Sequence, residues 1–159
     1  MAGGYSRPLP VGSTYPRGVW SQRSVVDYSL QRRATLTSLF GGGAHPSDVC
    51  DADRYLLRAA KFHGEDTERS CPVCRRESLT HVTYVFGDEL GEYSGRVRRT
   101  AELEPMAREH AEFRVYVVEV CQGCGWNHLT VSYVLGDGVP RHAPSRRRSS
   151  RRESAVDEH

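Results

Sequence analysis

Four of the five cysteines in this chain fall into two C-x-x-C pairs, Cys71–Cys74 and Cys121–Cys124, separated by residues 75–120. No other feature limits the fold so strongly. A C-x-x-C turn points two sulfurs the same way, and two such turns brought together offer four thiolates, the tetrahedral set that zinc accepts. The pairs also border apolar alternations. "LTHVTYVF" follows the first pair, "FRVYVVEV" leads into the second, and "LTVSYVL" leaves it. Alternation with period two is the mark of a strand. Two turns at the same end of neighbouring strands would close one metal site, although the intervening segment exceeds the roughly 15–20 residues of the shortest patterns. Gly125, just after Cys124, suits a turn whose backbone N–H groups approach a sulfur.

Other uses of these thiols fit less well. A redox pair needs one C-x-x-C at a helix N-terminus in a βαβ unit, and neither pair has that setting. An odd cysteine count without an export signal argues against a disulfide framework. Iron competes with zinc, because tetrahedral sulfur suits both. "CQGCG" is rubredoxin-like, whereas "CPVCR" lacks the glycine. Four protein ligands leave no open position, so the expected zinc is structural and not catalytic. His81 and His128 lie near the turns and are candidates for supporting hydrogen bonds. Cys50, at the start of an expected helix, reads as a small buried residue.

The expected organisation has four parts. Residues 1–21 are rich in Gly and Pro and lack an apolar period, so a disordered segment is expected there. Residues 22–64 read as a helical hairpin. Its first helix spans about Ser24–Phe40, with Ser24 as cap and Asp27 in the capping-box position. "GGG" at 41–43 breaks it. A second helix restarts in "HPSDVCDADRYLLRAAKFHG", capped by Ser47, Asp48 or Asp51, with Tyr55, Leu56, Ala59, Ala60 and Phe62 as its buried stripe. Residues 65–138 form the cysteine domain. "EDTERS" is a polar connector, residues 87–99 a loop, and "TAELEPMAREHAEF" an inserted helix whose start Pro105 moves towards Glu104. Residues 139–159 are Arg-, Ser- and Pro-rich and read as a disordered tail. The fold class is therefore α+β: a helical hairpin packed on a small antiparallel zinc-ribbon sheet with one inserted helix. Such a thin sheet would depend on its metal.

Charge narrows the function. The chain has 22 Lys and Arg against 20 Asp and Glu, but both ends are basic. Residues 22–138 carry 14 cations against 17 acids. Four thiolates on one divalent ion would make that core more acidic still. Composition thus gives no broad basic face. The candidate nucleic-acid contacts are Arg146, Arg147, Arg148, Arg151 and Arg152 in the tail, with Trp126 beside the second turn either a base-stacking ring or, the favoured reading, a cover over the metal site or core. A helix-turn-helix reader is a weak fit, since Arg54, Arg58 and Lys61 face Asp48, Asp51 and Asp53 in the sequence. No Ser-His-Asp set, phosphate loop or paired-carboxylate motif stands out. No stretch approaches the roughly 18 apolar residues of a membrane helix, and the first residues lack the apolar region of a signal peptide. A cytoplasmic location is expected.

The blocks "VVDYSLQRR", "VCDADRYLLRAAKFHG", "CPVCRRESLTHVTYVFGDELG", "EFRVYVVEVC" and "WNHLTVSYVLG" together resemble an uncharacterised actinobacterial family, the domain-of-unknown-function 5318 family. Their order and spacing agree over about residues 22–136. The resemblance implies a cytoplasmic bacterial protein and supplies no catalytic residues. The expected function is a non-enzymatic zinc-ribbon binding module that contacts nucleic acid or a nucleoprotein machine. A rubredoxin-like iron carrier and a protein-binding adaptor are the alternatives.

Overall fold

The structure, a computed structural model, describes residues 22–141. Its centre is one six-stranded antiparallel sheet: β1 (Arg23–Asp27), β2 (Glu65–Ser70), β3 (Ser78–Phe86), β4 (Arg96–Val97), β5 (Phe113–Val120) and β6 (Asn127–Leu135). Four helices accompany it: α1 (Ser29–Phe40), α2 (Pro46–Val49), α3 (Arg54–His63) and α4 (Thr100–Glu109). A 3-10 segment covers Asp88–Tyr93. The strand order is β1-β6-β5-β3-β2, and the two-residue β4 also pairs with β3.

Both faces of the central strands are covered. On one face Val85, Phe113, Val115, Val117, Tyr133 and Leu135 pack with Leu90 and with Leu103 and Ala107 of α4. On the other, Val82 and Val120 pack against Ala60 of α3, with Leu56 and Leu57 alongside. Alternate residues of a strand point to opposite faces, so α4 and α3 cover opposite sides. Each fully buried side chain of this size contributes about 1.5–3 kcal/mol. The apolar mass is uneven along the strands. At the cysteine end the buried cluster is smaller: Leu79 and Trp126 with Cys71 and Cys121, flanked by partly buried Leu36, Val49 and Val73.

Several elements differ from expectation. The chain begins with a strand, where a helix from Ser24 was expected. Val25 and Val26 are β-branched and favour extended backbone, and β1 pairs with the free edge of β6, Val26 opposite Ser132. Ser24 takes a φ of 48° at an irregularity in that pairing. Asp27 serves a tight turn in place of a capping box: its Oδ1 accepts from Ser29 N at 2.7 Å. The helix therefore starts only at Ser29. "EDTERS" is likewise not a connector but β2, paired to β3 with Asp66 opposite Thr80. The expected second helix is two pieces. His45 caps α2. Asp53 caps α3, accepting from Tyr55 N at 2.7 Å and Leu56 N at 3.0 Å.

The expected buried stripe of α3 is split. Ala60 is buried, whereas Tyr55 and Phe62 are 70% and 58% exposed. Pro105 lies inside α4, which begins at Thr100, not near Glu104; Glu102 Oε2 caps it by accepting from Arg99 N at 2.7 Å. α3 lies against β3 and β5, and α1 against β6. Residues 22–64 thus share one sheet with the cysteine domain, through β1. The disorder expected at the ends concerns residues outside the described range, apart from residues 139–141. There Arg141 pairs with Asp137 at 2.7 Å and donates to Arg108 O at 3.1 Å.

Candidate metal centre

The sheet register brings the two cysteine pairs together. Residues 71–77 turn the chain from β2 into β3, and residues 121–126 turn it from β5 into β6. β3 and β5 are neighbours with Thr80 opposite Val120. Val120 is in turn opposite Asn127. Both turns therefore sit at one end of the sheet. The long segment between them causes no strain, because the 3-10 segment, β4 and α4 return the chain to β5.

The four sulfurs Cys71, Cys74, Cys121 and Cys124 all lie within 4.8 Å of one another. Cys71 Sγ is 3.6 Å from Cys124 Sγ, and Cys74 Sγ is 3.7 Å from Cys121 Sγ. A disulfide would need about 2.05 Å. A tetrahedron with metal–sulfur bonds of about 2.3 Å has edges of about 3.8 Å. These two separations match that edge. These residues are therefore positioned to hold a metal ion. Among the described residues no histidine joins the group.

The backbone is arranged for anionic sulfur. Val73 N donates to Cys71 Sγ at 3.4 Å, Cys124 N to Cys121 Sγ at 3.5 Å, and Trp126 N to Cys124 Sγ at 3.4 Å. Backbone N–H groups, that of Arg76 foremost, bring the Cys74 thiol down to about 7. Burial pushes the Cys124 thiol up to about 11. Burial also raises Cys71 and Cys121. Burial thus opposes ionisation at three of the four thiols, and a bound divalent cation would reverse that by deprotonating its ligands.

Cys50 belongs to this neighbourhood. It is half-buried at the end of α2, with its Sγ 3.7 Å from Cys124 Sγ. Burial raises its thiol. The segment that carries it is tied to the second turn. Ala52 N donates to Gly125 O at 3.0 Å, and Asn127 Nδ2 to Asp51 Oδ1 at 2.9 Å.

Trp126 is not a base-stacking ring. It is fully buried, packed with Cys71, Cys121 and Leu79. Its indole Nε1 donates to Glu119 Oε1 at 2.9 Å. Burial of that ring against the sulfurs is worth more than leaving it in water. Arg32 of α1 donates to the same carboxylate oxygen. Sequence reasoning missed Glu119. The available signal was one acid within "FRVYVVEV", on the same strand face as Val115 and Val117. His128 stacks on Trp126 with centroids 5.9 Å apart. His81 sits opposite Glu119 across β3 and β5, and burial lowers its pKa. The tail residues Arg146, Arg147, Arg148, Arg151 and Arg152 lie outside the described residues.

No helix among the described residues is long and apolar enough to cross a membrane. No solved structure matches this chain. The chain is 51% identical over 119 residues to the uncharacterized protein Mb0050 of Mycobacterium bovis, covering 75% of this chain and 87% of that protein. The same identity and coverage relate it to the uncharacterized protein Rv0049 of Mycobacterium tuberculosis. The family of unknown function DUF5318 matches over residues 19–150, most of the sequence. With that match, and with relatives at half identity over most of their length, the chain belongs to DUF5318.

Proposed function

We propose that this protein is a non-enzymatic, cytoplasmic binding module of zinc-ribbon type, held by one structural zinc ion, whose partner is nucleic acid or a nucleoprotein. The observation that carries the metal part is the gathering of four cysteine sulfurs on two hairpin turns within 4.8 Å of one another, two of the separations being 3.6 and 3.7 Å. Cys71, Cys74, Cys121 and Cys124 would hold the ion. Four thiolates fill the coordination of zinc, so it would serve the fold and not a reaction. The shortage of apolar side chains at this end makes the ion's contribution large: structural zinc supplies an apparent binding free energy of about 10–16 kcal/mol at neutral pH.

Untagged protein purified under reducing conditions tests this directly. Elemental analysis should find one zinc per chain in colourless material, and a strong chelator should lower the melting temperature and the strand signal in circular dichroism. Absence of bound metal, or a chelator without effect, would overturn the reading. Red protein with a reversible one-electron reduction would replace zinc by iron. Affinity purification from the native cell, with and without nuclease, tests the partner. Nuclease-insensitive capture of one protein would mark an adaptor instead.

A further inference from the structure

The described part of the chain is acidic overall, yet its cations are not spread evenly. Six of them, Arg54, Arg58, Lys61, Arg96, Arg98 and Arg99, lie on α3 or in and just after β4. One open hollow on α3 is lined by Tyr55, Arg58, Ala59, Phe62 and His63. A second, between the end of α3, β4 and the start of α4, is lined by His63, Arg96, Val97, Arg98, Arg99 and Glu102. His63 belongs to both, so the two form one continuous surface. Glu102, the acid in that lining, is already engaged. It lies 3.8 Å from Arg98 Nη1 and accepts from Arg99 N. Arg98 Nε is shielded from solvent and has no acceptor among the described residues.

Three aromatic rings stand out on or beside this surface. Tyr55 and Phe62 are mostly exposed, and Tyr93 is half exposed. Each has a cation over it. Arg54 Cζ lies 4.9 Å from the Tyr55 ring, Lys61 Nζ 5.5 Å from Phe62, and Arg96 and Arg98 Cζ 5.8 and 5.5 Å from Tyr93. Large rings at these positions do nothing for the core, which α3 reaches through Leu56, Leu57 and Ala60. Alternating rings and guanidinium groups match a ligand that alternates flat faces with phosphates. A single strand of nucleic acid presents both. A duplex hides its base faces in the stack, and a plain acidic peptide offers nothing for the rings.

We propose that the outer face of α3 together with β4 binds single-stranded nucleic acid, with Tyr55, Phe62 and Tyr93 stacking on bases and Arg58, Arg96 and Arg99 contacting phosphates. This rests on the nucleic-acid reading above and gives it a place on the fold, distinct from the Arg-rich tail and from buried Trp126. RNA and DNA share the required chemistry.

The test uses the full-length, metal-loaded chain and fluorescence anisotropy with short labelled oligouridine, oligothymidine and an RNA duplex of equal length. Either single strand should bind at least tenfold more tightly than the duplex. Their relative affinities identify RNA or DNA as the ligand. Replacing Tyr55 and Phe62 by Ala should weaken single-strand binding by about tenfold or more, whereas Tyr55→Phe should leave it nearly unchanged. Replacing Arg96 and Arg99 by Ser should weaken binding and flatten the log–log salt dependence by about 1.4. These side chains are exposed or at the surface, so metal content and circular dichroism should match the parent, which checks folding in each variant. Unchanged affinity in both double variants overturns the proposal. If binding then vanishes on truncation after Gly138, the tail is the binding element and the broader nucleic-acid reading survives. If the metal-loaded parent binds no oligonucleotide, both fail, and preferential binding to anionic vesicles or an acidic peptide likewise overturns both.

Discussion

The two cysteine turns have the same design and differ most tellingly at the fifth residue. In each, the fifth residue returns its N–H to the carbonyl of the leading cysteine: Arg75 N to Cys71 O at 3.1 Å, and Gly125 N to Cys121 O at 3.0 Å. In each, that residue has positive φ, 58° at Arg75 and 87° at Gly125. The sulfur geometry thus demands a left-handed residue twice, and the chain answers with arginine once and glycine once. The surroundings of each turn decide which. Arg75 is exposed and its side chain leaves into solvent. A Cβ on Gly125 would lie 2.9 Å from Cys50 O, a backbone atom of the α2–α3 linker. The first turn therefore bears an arginine at a conformational cost of about 1–2 kcal/mol. The second is packed against the rest of the protein and has no room for a side chain.

That contrast can be broken in order of expected effect. Cys71→Ser and Cys121→Ser should each remove the bound metal and cost more than about 4 kcal/mol, the range reserved for loss of a metal. Denaturant titration with parallel metal analysis measures both, and a serine variant that kept its metal would show that the turns do not share one ion. Gly125→Ala should cost about 2–4 kcal/mol, from left-handed strain plus the clash with Cys50 O. Gly123→Ala, two residues earlier, should cost less than about 1 kcal/mol. Its Cβ would meet Glu77 Cγ at 2.7 Å, but Glu77 is exposed and can rotate away. Equal losses at 123 and 125 would mean that crowding by the linker is not what selects glycine. Arg75→Gly should stabilise by about 0.5 kcal/mol, because relief of strain exceeds the added freedom of the unfolded chain. A thermal melt rising by about 1–3 °C would register it.

The cysteine site was legible because its signal is covalent chemistry at fixed spacing, independent of how the rest of the chain packs. β3, β5 and β6 were legible as alternating apolar runs, although Val82, Tyr84 and Phe86, which share one face, range from buried to exposed. The edges of the sheet were not legible. β2 reads "EDTERS" and is exposed along most of its length, so burial leaves no apolar mark on it. β1 is exposed at every position, and its pairing with β6 is a contact made across about a hundred residues. α3 misled in a different way. Of Tyr55, Leu56, Ala59, Ala60 and Phe62, tertiary contact chose Leu56, Ala59 and Ala60, added Leu57, and left Tyr55 and Phe62 exposed. Pro105 marks no boundary, because the cap at Arg99 and Glu102 fixes the start of α4 well before it.

The missing side chain at residue 125 has a consequence beyond the turn itself. It lets the linker of residues 50–52 lie flush against the second cysteine turn, two residues before α3 begins. If α3 binds a nucleic-acid strand as proposed, that ligand and an ion held by the cysteines would be coupled through this linker. Thermodynamic reciprocity would then apply: whatever factor the ion added to strand affinity, the strand would add to ion affinity. On that proposal, metal supply would set how firmly the strand is held.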